Sequence, residues 1–348
     1  MKTRYSIAAV GCALVLSACG GGGGGSGGGA GGVGSGGGTT NSTPVQTAGL
    51  STIAAADAPR AASNSYGAGS LADGWSSPMI DLMAGVSVTP PDASVVSTVL
   101  DLVRHAYDSN GANLLTGATV SNACVDGGTM TLSETLFHTH TTISNGDRLT
   151  LTANNCASNG STTNGTLSIT VSGSSGNVFY NSGPGTLTLD ATFSNFQTTS
   201  GSNGHFVNGD MKLGIASTND TDATFTVSGQ SLQVTELRSG ATVATLGLTG
   251  YSIITDMRGK TGTTTADFSV SGNANGTGQF AYTVKNLQPF VRTTGSAATS
   301  GSLIVYGGVA TVTATVVSGG VRVDYSAKGD GVVTQSSTLS WNDFSAGF

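Results

Sequence analysis

His138 and His140 stand two residues apart, and on an extended strand such a pair points the same way. Two imidazoles on one face begin a metal site, but a site needs a third ligand, and the sequence places none. The pair is read as part of a polar loop at a hairpin tip. His105 on an expected helix and His205 in a Ser/Gly loop are isolated. Asn219-Asp220-Thr221-Asp222, and Asp330 in a Gly-Asp-Gly turn, supply oxygens of the type calcium takes. They lack EF-hand spacing, no glycine–aspartate nonapeptide repeat accompanies them, and Asn, Asp and Gly are ordinary turn residues. Glu134 and Glu236 are the only glutamates, and neither lies in a paired-acid motif or beside a Ser/His/Asp set. The residues predict no catalytic group, no metal site and no cofactor.

The remaining reactive side chains are four cysteines. The first two lie in a leader. Lys2 and Arg4 open the chain, and Ile7 to Ala18 is apolar or small without charge. That run is too short for a bilayer, which takes about 20 apolar residues. A basic flank, a short apolar core and small residues at its end make a secretory signal. Its last residues, Leu16-Ser17-Ala18-Cys19, resemble the lipobox of bacterial lipoproteins. The resemblance covers the leader alone. It implies cleavage before Cys19, a diacylglyceryl group on the Cys19 sulfur and, as a rule, an acyl group on the new amino terminus. Two or more chains anchor a protein stably where one does not. Cys12 would leave with the signal peptide, residues 1–18. Gly20 stands where an inner-membrane retention Asp is found in the enterobacterial family, which implies the outer membrane, on its periplasmic or its surface side.

From Gly20 to Gly38 nearly every residue is glycine. Such a stretch has no side chains to bury against its ordering entropy, and as a random coil it spans on the order of 25 Å. Phosphate-loop and nucleophile-elbow patterns match there trivially, without the strand and helix that give them meaning. Residues 39–77 stay rich in Ser, Thr, Ala and Gly, so 19–77 as a whole is read as a flexible linker.

Loss of Lys2 and Arg4 takes the formal charge from −6 to −8, and only 9% of the residues are charged. A chain so poor in Lys and Arg is not built to neutralise phosphates, which excludes nucleic acid as a partner. In an oxidising compartment the even pair Cys124 and Cys156 reads as a disulfide. One hairpin register, Met130 opposite Leu151 and Leu132 opposite Leu149, sets these cysteines nearly across from each other, with a wide loop from about Leu136 to Asn145. A tight turn at Asn145-Gly146 would pull them apart. The first register is preferred.

Residues 78–117 hold the expected helix. Pro90, Pro91 and Asp92 suit its start, Val96, Val99, Leu100, Val103 and Tyr107 recur at helical spacing, and Asn110-Gly111 stops it. From 118 to 348 the period is two. Leu187, Leu189, Ala191 and Phe193 alternate with polar residues, as do Met211, Leu213 and Ile215, then Phe280, Tyr282 and Val284, then Val321, Val323 and Tyr325, then Leu339 and Trp341. Turn signals such as Asn164-Gly165 and Asn208-Gly209 are taken to separate the strands. The prediction is a mainly antiparallel β domain of ten to fourteen strands, a sandwich or a curved open sheet, with one N-terminal helix packed on it. Phe193-Ser194-Asn195-Phe196-Gln197 is echoed by Val284-Lys285-Asn286-Leu287-Gln288, and Thr224–Gly229 by Ala266–Gly272. Either an old duplication or repeated strand chemistry accounts for this. The chain ends in Phe348, as many outer-membrane barrels do, but the alternation before it is too poor for a lipid-facing strand.

Two functions fit. One is a lipid-anchored structural or interaction module with membrane lipid, and another envelope protein, as partners. The alternative is a lipoprotein that binds lipid or another apolar ligand on the concave face of a curved sheet. An apolar stripe reads the same packed on protein or on ligand.

Overall fold

The computed structural model describes residues 49–73, 99–100, 119–135, 143–158, 160–176, 184–219, 221–274, 278–293 and 296–346. Fourteen antiparallel strands follow one another in sequence order within a single sheet that does not close into a barrel. They are β1 (Thr119–Ala123), β2 (Gly127–Thr135), β3 (Arg148–Ser158), β4 (Ser161–Ser175), β5 (Gly185–Ser200), β6 (Asn203–Ser217), β7 (Asp222–Arg238), β8 (Ala241–Arg258), β9 (Thr261–Ala274), β10 (Gln279–Thr293), β11 (Ser300–Tyr306), β12 (Thr311–Val317), β13 (Gly320–Ser326) and β14 (Gln335–Ser340). A helix α1 (Ala58–Asp73) precedes them and a short helix α2 (Trp341–Ala346) ends them. The alternation therefore produces the half-buried strands expected of it, within a single open sheet.

One face carries the core. Leu187, Leu189, Ala191 and Phe193 of β5 are buried, and so are Met211, Leu213 and Ile215 of β6 and Phe268 and Val270 of β9. The other face is a ladder of hydroxyls, with Thr119 beside Ser133 at 3.0 Å and Thr131 donating to Ser121 at 3.0 Å. With few charges in the chain, Thr and Ser make this face wettable while keeping the β-branched fit to a pleated surface.

The long strands change phase midway. Phe193 and Phe196 of β5 are three apart and both buried, as are Leu248 and Tyr251 of β8 and Ala153 and Cys156 of β3. Alternation by two would put one of each pair in water. The pairing registers show the cause: a residue is inserted between Ala153 and Cys156, between Phe193 and Phe196, and between Thr249 and Ser252. Further shifts in β7 and β10 extend these into a line of bulges crossing the sheet from β3 to β10. Each bulge bends its strand and restores the buried parity beyond it.

Asn164-Gly165 and Asn208-Gly209 lie on this line, inside β4 and β6. They do not separate strands, which corrects the reading of both as turns. Gly165 has φ +90° and Gly209 φ +116°, and a Cβ on either would come 2.0 Å from a neighbouring strand's carbonyl oxygen, Asn195 O or Ser231 O. The pair here serves close approach between strands, for which the same two residue types are suited.

The helix on the buried face is also relocated. The sequence reads as a flexible linker over 19–77, yet α1 lies within that range, with Ala61, Ala62 and Ala68 buried. Of the helix expected over 78–117, only Val99 and Leu100 are described; both are helical and buried in the core, and the rest lies outside the described residues. The final predicted strand is shorter than expected, because Trp341 opens α2.

Candidate functional site

Among the described residues the buried face of the sheet carries the apolar core, so its occupant decides between the two functions. The chain enters at Ser51, whose amide donates to Ala281 O at 2.8 Å and whose Oγ accepts from the Ala281 amide at 2.9 Å. The Gly308 amide donates to Ser51 O at 2.9 Å. Tyr325 Oη then donates to Ile53 O at 3.0 Å, and Ile53 is fully buried. From here α1 crosses the face, packing on β7, β8, β9, β11, β12 and β13. Ala58, Ala61, Ala62, Ser63, Asn64, Ser65, Gly67, Ala68 and Gly69 are buried. Small side chains let a helix backbone lie close on a sheet already crowded with Leu, Ile, Val and Phe.

The far end of the face is closed by aromatics. Tyr66 of α1 lies 5.7 Å from Phe290, 6.0 Å from Trp341 and 5.3 Å from Phe344 by ring centroids. The Ser63 hydroxyl donates to Phe344 O, so α2 is fixed to α1. Tilted contacts at these separations are the favoured geometry for aromatic rings.

The Cys124–Cys156 disulfide joins the β1–β2 turn to β3, with 5.3 Å between Cα atoms. The wide connection is present, since β2 ends at Thr135 and β3 begins at Arg148. The register differs from the expected one by two residues: Met130 faces Ala153 and Leu132 faces Leu151. A slip of two keeps every side chain on its face. Extended along β2, that register would set Cys124 past Cys156; the two meet because Cys124 lies in the β1–β2 turn, where its amide donates to Gly128 O and its carbonyl accepts from the Gly127 amide, both at 3.1 Å.

The polar candidates resolve into local structure. Asn219 Oδ1 accepts from the Thr221 amide at 2.8 Å and the Asp222 amide at 2.9 Å, while the Asp222 carboxylate accepts from Asn219 Nδ2 at 3.1 Å and the Gly259 amide at 2.9 Å. The Asn219 bond and then the Gly259 amide hold the Asp222 carboxyl below the usual carboxylate range. Asp330 Oδ1 accepts from Ser326 Oγ at 3.1 Å and the Val332 amide at 3.0 Å. These oxygens bind the turns' own donors. His205 is in β6, opposite Glu236 of β7, rather than in a loop, and Glu236 pairs with Arg238 at 2.7 Å. Among the described residues no group of three His, Cys, Asp or Glu could hold a metal. Cys19, His105, His138 and His140 lie outside the described residues.

What sequence reasoning missed is α1. Its sequence, APRAASNSYGAGSLAD, carries almost no large apolar side chain, so the helical period is invisible. The alanines themselves, good helix formers, were the available signal.

Comparison with known proteins finds no matching family model, no matching curated protein and no matching solved structure.

Proposed function

We propose that this chain is a lipid-anchored protein of the bacterial outer membrane, acylated on Cys19 and tethered by its glycine-rich segment, and that its β domain is a structural or interaction module without catalytic activity. The observation that carries the module reading is that the chain covers its own apolar face. Ile53, the small residues of α1, Val99, Leu100 and Phe344 all belong to one buried cluster with the strands. An apolar ligand would have to displace these residues. The anchor rests on the resemblance of Leu16-Ser17-Ala18-Cys19 to a lipobox and on the length of glycine that follows it.

The test is the mass of the protein extracted from cell envelopes, before and after mild organic extraction. The expected chain starts at Cys19, carries covalent acyl mass that extraction does not remove, and loses nothing else. Replacement of Cys19 by Ser should move the protein out of the membrane fraction. An unmodified Cys19 would overturn the anchor. A removable mass of lipid size would replace the module by the carrier reading.

A further inference from the structure

Seven large aliphatic side chains are exposed among the described residues, and they are unevenly placed. Ile254 and Leu287 lie within strands, but Leu50, Val125, Val309, Val332 and Val333 all lie at one end of the sheet. In an antiparallel meander alternate connections share an end. The β1–β2 turn with Val125, the β11–β12 turn with Val309 and the β13–β14 loop with Val332 and Val333 fall on the same one. No described connection at the opposite end exposes a large aliphatic.

The segments that carry four of the five touch one another. The Gly307 amide closes the β11–β12 turn on Ala310 O at 2.9 Å, and Leu50 passes beside it, since a Cβ on Gly308 would come 2.9 Å from Leu50 O. On its other side the β13–β14 loop is in contact, because a Cβ on Gly329 would come 2.5 Å from Val309 O. Val309 is 66% exposed, Val332 62% and Val333 52%. Two valines in a row at a loop tip, beside a third on the neighbouring turn, form a local apolar patch on a surface otherwise made wettable by hydroxyls.

The patch lies where the chain from Cys19 reaches the fold. Gly49 and Leu50 are its first described residues, and Ser51 is bonded to Ala281 of β10 and to Gly308 of this turn. An acylated Cys19 would lie only thirty residues upstream. We propose that this end of the sheet, through Leu50, Val309, Val332 and Val333, docks onto the lipid surface to which the tether holds it. The proposal deepens the anchored reading. A tether raises the local concentration of bilayer around the patch, so a small apolar area suffices where a free protein would need a larger one. Docking would hold the β12–β13 end of the sheet outward, and the hydroxyl face edge-on to the membrane.

The test places a tryptophan at Val332 in the full chain, isolated with its Cys19 modification and reconstituted in vesicles of phosphatidylethanolamine and phosphatidylglycerol with brominated acyl chains. Val309→Trp is the second reporter, and Ser318→Trp, on the exposed β12–β13 turn at the opposite end, is the control. After subtraction of the parent's emission, bromine should lower the Val332→Trp and Val309→Trp signals about twofold and leave Ser318→Trp unchanged. Equal quenching at both ends, or none at either, overturns the proposal. Shielding of Val332→Trp without bromine quenching, with a doubled native mass, assigns the patch to a second copy instead. The mass at Cys19 is read on the same sample. An acylated protein with unquenched reporters overturns docking alone, whereas an unmodified Cys19 with quenched reporters overturns the anchor and leaves docking standing.

Discussion

The Asn195 amide donates to Asn208 Oδ1 across β5 and β6 at 2.6 Å, and two strands earlier the Asn155 amide donates to Asn164 Oδ1 at 2.7 Å. Both donors have left-handed backbones, φ +47° and +46°, and both acceptors are followed by a glycine in close contact with the next strand. A bulge leaves one amide without a ladder partner, and the asparagine carboxamide supplies it. Asn286, in the segment that echoes Asn195, shares one part of this arrangement: its amide donates to a side-chain oxygen, Asp267 Oδ1, at 3.0 Å, but without the left-handed backbone or the following glycine. What the two echoing segments share is a register shift at which a side-chain oxygen takes the backbone amide.

Asn208→Ala should lower unfolding free energy by about 1 kcal/mol, while Asn208→Asp, which keeps the acceptor, costs less. Gly209→Ala should cost on the order of 3 kcal/mol, because the backbone is left-handed and the Ser231 carbonyl cannot move without opening β7. Urea unfolding of the three variants checks this. An Asn208→Ala loss larger than that of Gly209→Ala would contradict the account of the bulge.

Replacing Cys124 and Cys156 together by Ser should destabilise the protein by roughly 4 kcal/mol, the loop-closure value for the 32-residue separation. The loss should be local at first. Amide exchange should rise in β1 and β2, which form one edge of the sheet, before it rises in β7 and β8. Uniform acceleration along the chain would show that the bridge stabilises the whole fold rather than this edge.

Ala62 of α1 is fully buried. Ala62→Leu should cost about 1–3 kcal/mol by overpacking, and Ala62→Asp more, since its charge would have no partner. A linker would tolerate both. Thermal unfolding unchanged by Ala62→Asp would mean that the helix does not cover the apolar face in solution.

The Asp222 carboxyl is held below the ordinary carboxylate range by Asn219 and the Gly259 amide. Its folded pKa therefore lies below its unfolded one, near 3.9. The contribution is fully present above that unfolded value and disappears as pH falls through the lower, folded one. Protection of the Gly259 amide should decline over that acid range, and in Asp222→Asn the dependence should vanish. A Gly259 exchange profile that keeps its acid transition in Asp222→Asn would remove the assignment.

Several features of the fold were legible in the residues. Alternation of apolar with Thr and Ser identifies a half-buried strand because successive side chains leave a pleated backbone on opposite sides. Cys124 and Cys156 were legible as partners because an even pair of cysteines flanking one hairpin reads as a disulfide, although Cys124 lies in the β1–β2 turn rather than on the paired strand. The polar turns at Asn219–Asp222 and Asp330 were legible as turns for the same local reason.

The rest needed the third dimension. An Asn-Gly pair has the same local preferences in a hairpin turn and at a bulge. Only the carbonyl of Asn195 or Ser231, many residues away, makes Gly165 or Gly209 a point of close strand approach. The helix of Ala, Ser and Gly looked like linker because its burial comes from the sheet beneath it and leaves no apolar stripe in its own sequence. By itself the sequence determined the strands, their two faces and the disulfide partners, all of which follow from the period of the backbone and local spacing. The tertiary structure alone decided that the strands form one sheet bent along a line of bulges and that the chain's own helix fills its apolar face. It also brought Leu50, Val309, Val332 and Val333 to one end. Each of these depends on contacts between residues too far apart in sequence for any local pattern to record.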